Sequence, residues 1–324
     1  MILILHDTPE GYPFVAERMT MPCRKVYSPQ KNRKYFTWLA GAWKAMRQSR
    51  KGDVIVSLYD FQGILCLLIG YLTFRRRHIL GINLLLKDKP TAKNRLASTL
   101  YRHAVRSPWF HTTVTSKAYQ QWFNRKLGLD IDYPLLRDVY YDSYEPDPAM
   151  LRECDGSVFC GGRNSRDWEM MVTLARIMPE RHFCFIMPDD RYSEFEHKMP
   201  ENVEALHEVP MDTFVDRMSR ASVICMPVTT DAPAGLITMF QAAGYKKPII
   251  STYTVTTSEY LTPDRGYLLP SNDAELWAST IRDIFDDPGA ALKKACEFHR
   301  FVTGECNEAA YVSRIEEIIR GFVP

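Results

Sequence analysis

Two short stretches in the second half of the chain combine small residues with groups that can bind an anion. The first is Ala234-Gly235, which lies between a predicted buried strand and a predicted helix. A helix N-terminus presents backbone N–H groups without intrahelical partners and carries a partial positive charge. Small residues let a ligand approach that backbone, and the hydroxyl of Thr238 lies within the first turn. The stretch predicts a phosphate-sized site, although a tight strand-to-helix turn alone would use the same small residues.

The second stretch runs from a predicted strand through Gly161-Gly162 to Arg163 and Arg166. The two glycines leave space at the carboxyl edge of the predicted sheet, and the guanidinium fork suits the oxygens of a phosphate. The alternative is that both arginines are solvated or pair with Asp167 and Glu169. Because ligands of open α/β sheets bind outside the carboxyl ends of the strands, we expect the two stretches to meet in one anion site.

A parallel sheet in each half of the chain must position these groups, because buried strands alternate with amphipathic helices throughout, as in βαβ units. The strands predicted in the first half are Ile2–His6, Asp53–Leu58, His78–Leu85 and His111–Ser116. The helices predicted there are Tyr35–Arg47, Phe61–Phe74, Ala92–Val105 and Lys117–Lys126. The strands predicted in the second half are Ser157–Cys160, His182–Met187, Val203–His207, Val223–Val228, Pro248–Thr252 and Gly266–Leu269. The helices predicted there are Arg166–Met178, Asp212–Arg220, Gly235–Ala243 and Asp273–Phe285.

A polar segment with two prolines, Asp142–Pro148, is predicted to link two domains. We expect an N-terminal domain at 1–145, a C-terminal domain at 150–305 and a last helical segment at 306–324. That last segment contains a helix, Asn307–Gly321, with an asparagine at its start and a glycine at its end. One apolar stripe of this helix must pack on another part of the fold, and it consists of Tyr311, Ile315, Ile318 and Phe322.

The charge of the chain is divided between its halves. The first 140 residues hold 23 Lys and Arg against 9 Asp and Glu, and the remainder holds 18 against 30. A basic half can face anionic lipid, nucleic acid or an anionic substrate, but no aromatic–basic motif supports nucleic acid. The apolar run Gly63–Phe74 is too short to span a bilayer and is predicted as a helix buried against the sheet. The basic residues that could contact an anionic membrane surface are Lys31, Arg33, Lys34, Arg47, Arg50, Lys51, Arg75, Arg76 and Arg77.

The composition fits a folded protein of two domains, since the 324 residues are 46% hydrophobic and 25% charged. Eight cysteines form no CxxC pair and mostly lie in apolar runs, which predicts reduced thiols. The first residues lack the basic leader of a signal peptide, so we expect a cytoplasmic protein. The histidines have no metal-ligand spacing, and Asp130-Ile-Asp132 is interpreted as incidental. No metal and no cofactor are expected.

The second half resembles the nucleotide-sugar-binding domain of family-4 type glycosyltransferases, which have the GT-B fold. The segments that carry this resemblance, in the order of the family, are Phe159–Arg163, Val209–Phe214, Ala221–Pro227, Gly235–Ala243 and Lys247–Ile250. The resemblance implies an α/β protein with two Rossmann-like domains that face each other across a cleft. It implies that the N-terminal domain takes the acceptor, the C-terminal domain takes the donor and the last helix crosses back onto the N-terminal domain.

The resemblance also implies roles for individual residues. Those expected to bind the nucleotide sugar are Gly162, Arg163, Arg166, Val209, Pro210, Met211, Gly235, Leu236, Ile237, Thr238 and Gln241. The family places two glutamates where this chain has Pro233 and Gln241. The amide of Gln241 can still bond ribose hydroxyls, since it both donates and accepts. Asp231 is the candidate to replace the first glutamate, and Asp231 and Arg163 are the predicted catalytic residues.

A glycosyltransferase of bacterial polysaccharide or glycolipid biosynthesis is therefore the implied function. It would transfer a sugar from a UDP- or GDP-linked donor to a glycan or lipid-linked acceptor, with retention and without a metal. The missing glutamate pair favours an alternative, a weak or inactive GT-B-fold binding subunit that partners an active transferase. Another nucleotide-dependent enzyme is a third possibility, but neither domain has the GxGxxG of a dehydrogenase after its first strand.

Overall fold

The structure is a computed structural model, and it describes residues 1–6, 13–27, 34–86, 91–148, 151, 153–163, 165–231 and 233–322. Two predicted membrane-facing residues, Lys31 and Arg33, lie outside these residues. The chain divides into two compact units. The N-terminal unit comprises Met1–Val139 and Glu308–Pro324, and the C-terminal unit comprises Tyr140–Asn307.

The N-terminal unit is built on a five-stranded parallel sheet in the order β2-β1-β3-β4-β5. Its strands are β1 (Ile2–His6), β2 (Cys23–Tyr27), β3 (Val54–Ser57), β4 (His78–Gly81) and β5 (Phe110–Thr112). Its helices are α1 (Pro13–Arg18), α2 (Lys34–Gln48), α3 (Asp60–Leu72), α4 (Ala92–Ala104) and α5 (Lys117–Leu127). Strands β1 and β3 are buried along their whole length, as expected for a parallel sheet covered on both faces.

Several elements of this unit differ from the prediction. Strand β2 and helix α1 were not predicted, and β2 gives little signal because it lies at the sheet edge and only Val26 of its five residues is fully buried. The strand predicted at His111–Ser116 is β5, which ends at Thr112. The strand predicted at His78–Leu85 ends at Gly81 instead. Asn83 has a φ of +47°, and this left-handed conformation does not continue an extended strand.

The last helix, α13 (Glu308–Phe322), packs on the N-terminal unit. The carboxylate of Glu316 is buried and accepts hydrogen bonds from the backbone N–H groups of Thr20 (2.5 Å) and Met21 (2.9 Å). Arg314 donates to the carbonyl of Leu135 at 3.1 Å. Three residues of the predicted apolar stripe, Tyr311, Ile315 and Ile318, are buried.

Acidic pH is expected to destabilise the N-terminal unit through His111. Its ring stacks on Phe322 at 3.7 Å between centroids, and its Nε2 lies 3.1 Å from Nδ1 of His78. Burial, and secondly the nearby His78, lower the pKa of His111 from 6.5 to about 4. The unfolded chain therefore binds more protons than the folded chain between these pH values, so the free energy of unfolding falls as the pH falls from about 6.5 to about 4. We expect a loss on the order of 1 kcal/mol in urea unfolding at the lower end of this window.

The matched variant for this experiment is His111→Gln, which keeps a polar side chain that does not titrate. Its unfolding free energy should depend less on pH across the same window. An unchanged pH dependence in the variant would show that another group is responsible.

The C-terminal unit is built on a six-stranded parallel sheet in the order β11-β10-β9-β6-β7-β8. Its strands are β6 (Val158–Gly161), β7 (Phe183–Met187), β8 (Val203–His207), β9 (Val223–Met226), β10 (Ile249–Thr252) and β11 (Tyr267–Leu269). Its helices are α6 (Trp168–Ile177), α7 (Asp189–Phe195), α8 (Met211–Arg220), α9 (Leu236–Gly244), α10 (Thr257–Tyr260), α11 (Ala274–Asp286) and α12 (Pro288–Glu305). One apolar core lies on each face of this sheet.

Three helices of this unit, α7, α10 and α12, were not predicted. The buried residues of α12, Ala291, Ala295, Phe298 and Val302, recur at helical spacing, but two of the four are alanines, which give a weak hydrophobic signal. The segment predicted as a linker starts with a 3₁₀ turn at Asp142–Tyr144 that packs against α9. The contact is close, since a Cβ on Gly244 would lie 2.1 Å from the carbonyl oxygen of Tyr144.

Candidate anion-binding site

The two loops predicted to form the site leave neighbouring strands at the same edge of the C-terminal sheet. Strands β6 and β9 pair in parallel, with Val158 opposite Val223. The loop at 161–167 and the loop at 227–235 follow these strands, and backbone contacts join them. The N–H of Asp167 donates to the carbonyl of Pro227 at 2.9 Å, and the N–H of Thr229 donates to the carbonyl of Ser165 at 3.1 Å. The structure therefore brings the two predicted stretches together.

Arg166 lies between the glycines of the two loops. A Cβ on Gly162 would lie 3.0 Å from its Nη2, and a Cβ on Gly235 would lie 3.0 Å from Nη2 and 3.2 Å from Nη1. Its Nε donates to the carbonyl of Gly161 at 3.2 Å. Both Gly162 (φ +133°) and Gly235 (φ +83°) have a backbone conformation that L side chains rarely adopt. The two glycines thus provide both the backbone conformation of the turns and the room for the guanidinium.

The electrostatics of this site favour an anion. Arg166 is only 8% exposed, and desolvation lowers the pKa of its guanidinium. Burying a cation costs free energy, which an anion arriving beside it would offset. Gly235 is the N-cap of α9 and adds no side-chain cap. The first N–H groups of α9, from Leu236 to Thr238, have no acceptor within the helix, so they are also available to an anion.

Arg163 lies at the surface, unlike Arg166. Its side chain is 74% exposed, and its Nη2 forms an ion pair with Oε2 of Glu208. Of the two alternatives considered from the sequence, the exposure of Arg163 agrees with a solvated side chain, and its ion-pair partner is Glu208, not Asp167 or Glu169. Asp167 instead caps α6, accepting from the N–H of Met170 at 3.0 Å. A phosphate bound by Arg163 would have to compete with the Glu208 carboxylate.

The predicted base-lining segment lies beside α9, since α8 packs on α9. Nε2 of Gln241 lies 3.7 Å from Sδ of Met211, which is exposed together with Pro210, while Val209 is half-buried. Gln241 itself is 7% exposed, and its Oε1 is buried without a hydrogen-bond partner among the described residues. The Gln241 amide thus carries a buried acceptor that no described residue satisfies.

The remaining predicted site residues lie in the loop and first turn around Gly235. Asp231 is exposed, and its backbone carbonyl accepts a hydrogen bond from Oγ1 of Thr256 at 3.2 Å. Leu236 and Thr238 are buried, whereas Ile237 is exposed. Two further loop residues, Asn164 and Ala232, lie outside the described residues.

A polar network that the sequence analysis did not identify supports both loops. The N–H of Val228 donates to Oγ1 of Thr252 at 2.8 Å, and that hydroxyl donates to Oδ1 of Asn272 at 2.5 Å. Nδ2 of Asn272 in turn donates to Asp167 at 3.1 Å. A threonine at the end of β10 was the only local signal for this network, and such threonines are common at strand ends.

The described residues contain neither a cluster suited to a metal ion nor a helix suited to cross a membrane. Among the described residues, no three His, Cys, Asp or Glu side chains lie close enough together to hold a metal ion. In the same part of the chain, no helix has both the length and the hydropathy required to cross a bilayer.

Comparison with solved structures identifies the fold. No protein-family model matches the chain, and no curated protein matches it in sequence. HepE of Anabaena, solved with UDP-glucose, is 14% identical, with a TM-score of 0.73 over 99% of each chain. Sucrose-phosphate synthase from Thermosynechococcus elongatus is 15% identical, with a TM-score of 0.72 over 99% of this chain and 88% of its own. WaaG, a glycosyltransferase involved in lipopolysaccharide biosynthesis, is 10% identical, with a TM-score of 0.67 over 99% of this chain and 100% of its own.

These identities establish the fold alone. The chain has the GT-B fold, and this prediction from the sequence is confirmed.

Proposed function

We propose that the protein is a glycosyltransferase that moves a sugar from a UDP- or GDP-linked donor to a glycan or lipid-linked acceptor. The observation that carries this proposal is the buried Arg166 guanidinium beside the N-terminus of α9, between two glycine turns. This arrangement suits a diphosphate, because it places a buried guanidinium and several backbone N–H groups beside one anion-sized position. The fold shared with HepE, which was solved with UDP-glucose, supports a nucleotide sugar as the ligand.

In the proposed reaction, the bond between the anomeric carbon and the diphosphate breaks while a bond to the acceptor hydroxyl oxygen forms, and the hydroxyl proton passes to the leaving diphosphate. Negative charge grows on the leaving diphosphate. Arg166, Thr238 and the N-terminus of α9 would stabilise that charge in the transition state, which accelerates the step. Because these groups can carry the charge, we expect transfer without a metal. We also expect retention at the anomeric carbon, with Asp231 as the loop carboxylate and Arg163 as a second cation.

The acceptor and the cellular location are part of the same proposal. The net positive charge of the first 140 residues would favour an acceptor, or a membrane that carries it, with negative charge. We therefore propose a cytoplasmic protein, peripheral at the inner face of the membrane, that acts in polysaccharide or glycolipid biosynthesis.

Incubation with UDP- and GDP-sugars tests the transferase proposal directly. An active enzyme should release the nucleotide diphosphate, slowly when water replaces the acceptor, and Asp231→Asn should reduce this release without weakening binding of the nucleotide. The alternative binding subunit, favoured by Pro233 and Gln241 at the two glutamate positions of the family, would bind the nucleotide without releasing product. If no nucleotide diphosphate binds at all, the proposed function is wrong.

Replacing Gln241 with leucine should separate stability from binding. The buried Oε1 has no partner among the described residues, so its loss should leave the stability unchanged or raise it by about 1 kcal/mol. If the amide bonds a ribose hydroxyl, the same variant should bind the nucleotide diphosphate roughly 5- to 10-fold more weakly. Thermal unfolding and calorimetric titration measure the two effects. A large loss of stability with unchanged affinity would instead make Gln241 a structural residue.

A further inference from the structure

Helix α2 exposes apolar residues on the side that faces solvent. Its exposed positions recur about one turn apart and include Phe36, Leu39 and Trp43, followed by Arg47. The opposite face of the helix is buried, and Ala42, Ala45 and Met46 on that face lie in the core. Surface helices normally place polar residues on the solvent side, so an apolar outer face indicates a surface that another phase or molecule covers.

Helix α3 extends this surface. Helices α2 and α3 pack against each other, and they cover the same sheet face because their crossovers are right-handed and run in the same direction. On the outer side of α3, Leu68 and Leu72 are exposed, and Leu72 has 80% of its surface accessible to solvent. The apolar ridge of the N-terminal unit is defined here as Phe36, Leu39, Trp43, Leu68, Leu72 and Phe74.

Phe74 follows the end of α3 in an unusual conformation. Its φ is +55°, a left-handed conformation that glycine or asparagine usually adopts after a helix. This conformation caps α3, since the N–H of Arg75 donates to the carbonyl of Gly70 at 2.9 Å, and it leaves the Phe74 ring 92% exposed. A phenyl ring held outward at this point is consistent with a contact outside the chain.

The exposed charges on the segment that carries the apolar ridge have one sign. Arg75 and Arg76 follow Phe74 and are exposed, and Nη1 of Arg75 donates to the carbonyl of Arg47 at 3.4 Å. Between residues 34 and 86 the sequence contains two carboxylates, Asp53 and Asp60, and both are buried. The exposed charges in this range are therefore all positive.

We propose that the apolar ridge inserts into a bilayer that contains anionic lipid, and that Arg47, Arg75 and Arg76 bind the lipid headgroups. Aromatic and aliphatic side chains beside arginines suit the membrane interface, where rings lie at the headgroup level and guanidinium groups meet phosphate. A protein partner would need a matching acidic and apolar surface, whereas an anionic bilayer supplies both features over any area. The inference deepens the proposed function, because it would hold the enzyme at a lipid-linked acceptor.

Vesicle flotation of the full chain tests this inference. The wild type should bind vesicles of phosphatidylcholine mixed with phosphatidylglycerol, and bind phosphatidylcholine alone much more weakly. Combining Trp43→Ser with Phe74→Ser should weaken binding to the mixed vesicles about 10- to 100-fold, since two large apolar side chains no longer enter the interface. The matched control combines Leu276→Ser with Leu292→Ser, two exposed leucines of the C-terminal unit, and should bind like the wild type.

Two further measurements distinguish insertion from simple charge attraction. Lipids brominated on their acyl chains should quench the fluorescence of Trp43, and Trp43→Phe should remove this quenching. Arg75→Gln and Arg76→Gln should each weaken binding roughly fivefold at low salt.

Several outcomes would overturn the inference. The first is that the wild type does not bind the mixed vesicles. The second is that the Trp43 and Phe74 double variant binds them as tightly as the wild type. The third is that the wild type is an oligomer in solution whereas the double variant is a monomer. The last outcome would assign the ridge to a second copy of the chain. Nucleotide diphosphates should raise the melting temperature of the double variant as they do that of the wild type. Failure of membrane binding and failure of the proposed function are therefore distinguishable.

Discussion

Replacing Arg166 with methionine is expected to weaken nucleotide-diphosphate binding about 100-fold, the largest effect of any single side chain in the site. The guanidinium is buried between two glycine turns, where its bonds to an anion are poorly screened by water. Methionine keeps most of the volume and removes the charge. Arg166→Lys should restore little of the affinity, because a lysine offers no planar fork. Calorimetric titration with UDP and with GDP measures the loss.

Arg163→Gln is the matched control for this variant. Its guanidinium is largely exposed and already paired with Glu208, so its removal should reduce the affinity by about tenfold or less. Thermal unfolding of both variants shows whether they remain folded. Equal losses of affinity in the two variants would mean that burial between the glycines does not set the strength of the site.

Gly235→Ala is expected to eliminate most nucleotide binding while the protein still folds. The added Cβ would lie 2.7 Å from Cε of Met226, which must shift, and 3.0 Å from Nη2 of Arg166, so the guanidinium must also give by a few tenths of an ångström. The φ of +83° adds a conformational cost of about 1–2 kcal/mol. We therefore expect a modest loss of stability in urea unfolding and a loss of affinity similar to that of Arg166→Met.

Gly156→Ala is a closely matched control in the same unit. Gly156 has a φ of +81°, but no heavy atom lies within 4 Å of a Cβ placed there. The two alanine variants should therefore lose similar stability, and Gly156→Ala should keep its affinity for the nucleotide. If Gly156→Ala loses affinity as well, general destabilisation explains the effect. If Gly235→Ala binds normally, the position of Arg166 does not matter for the ligand.

The elements around the site were largely predictable from the sequence, because their signals are local. Strands β6 and β9 are short, fully buried runs of apolar residues, and α9 follows a turn of small residues. The parallel arrangement of the sheet then implied that the two loops share an edge. Strand β2 was missed because only one of its five residues is fully buried, and helix α12 because two of the four residues it buries are alanines.

The different environments of the two arginines were not predictable. Arg163 and Arg166 have the same residue type and lie three positions apart, so the sequence pattern treats them alike. The backbone separates them. The backbone of Arg166 forms an antiparallel β-bridge with Val228 of the other loop, and the Arg166 side chain lies against Gly162. The partner of Arg163, Glu208, lies 45 positions along the chain, and its role depends on the order of the strands.

A crystal structure of the protein with UDP or GDP bound shows whether the two glycine turns hold the nucleotide. We expect the diphosphate within hydrogen-bond distance of the N–H groups at the start of α9 and of the Arg166 guanidinium. A diphosphate bound to any other surface of the C-terminal unit, with the two glycine turns unoccupied, would contradict this expectation.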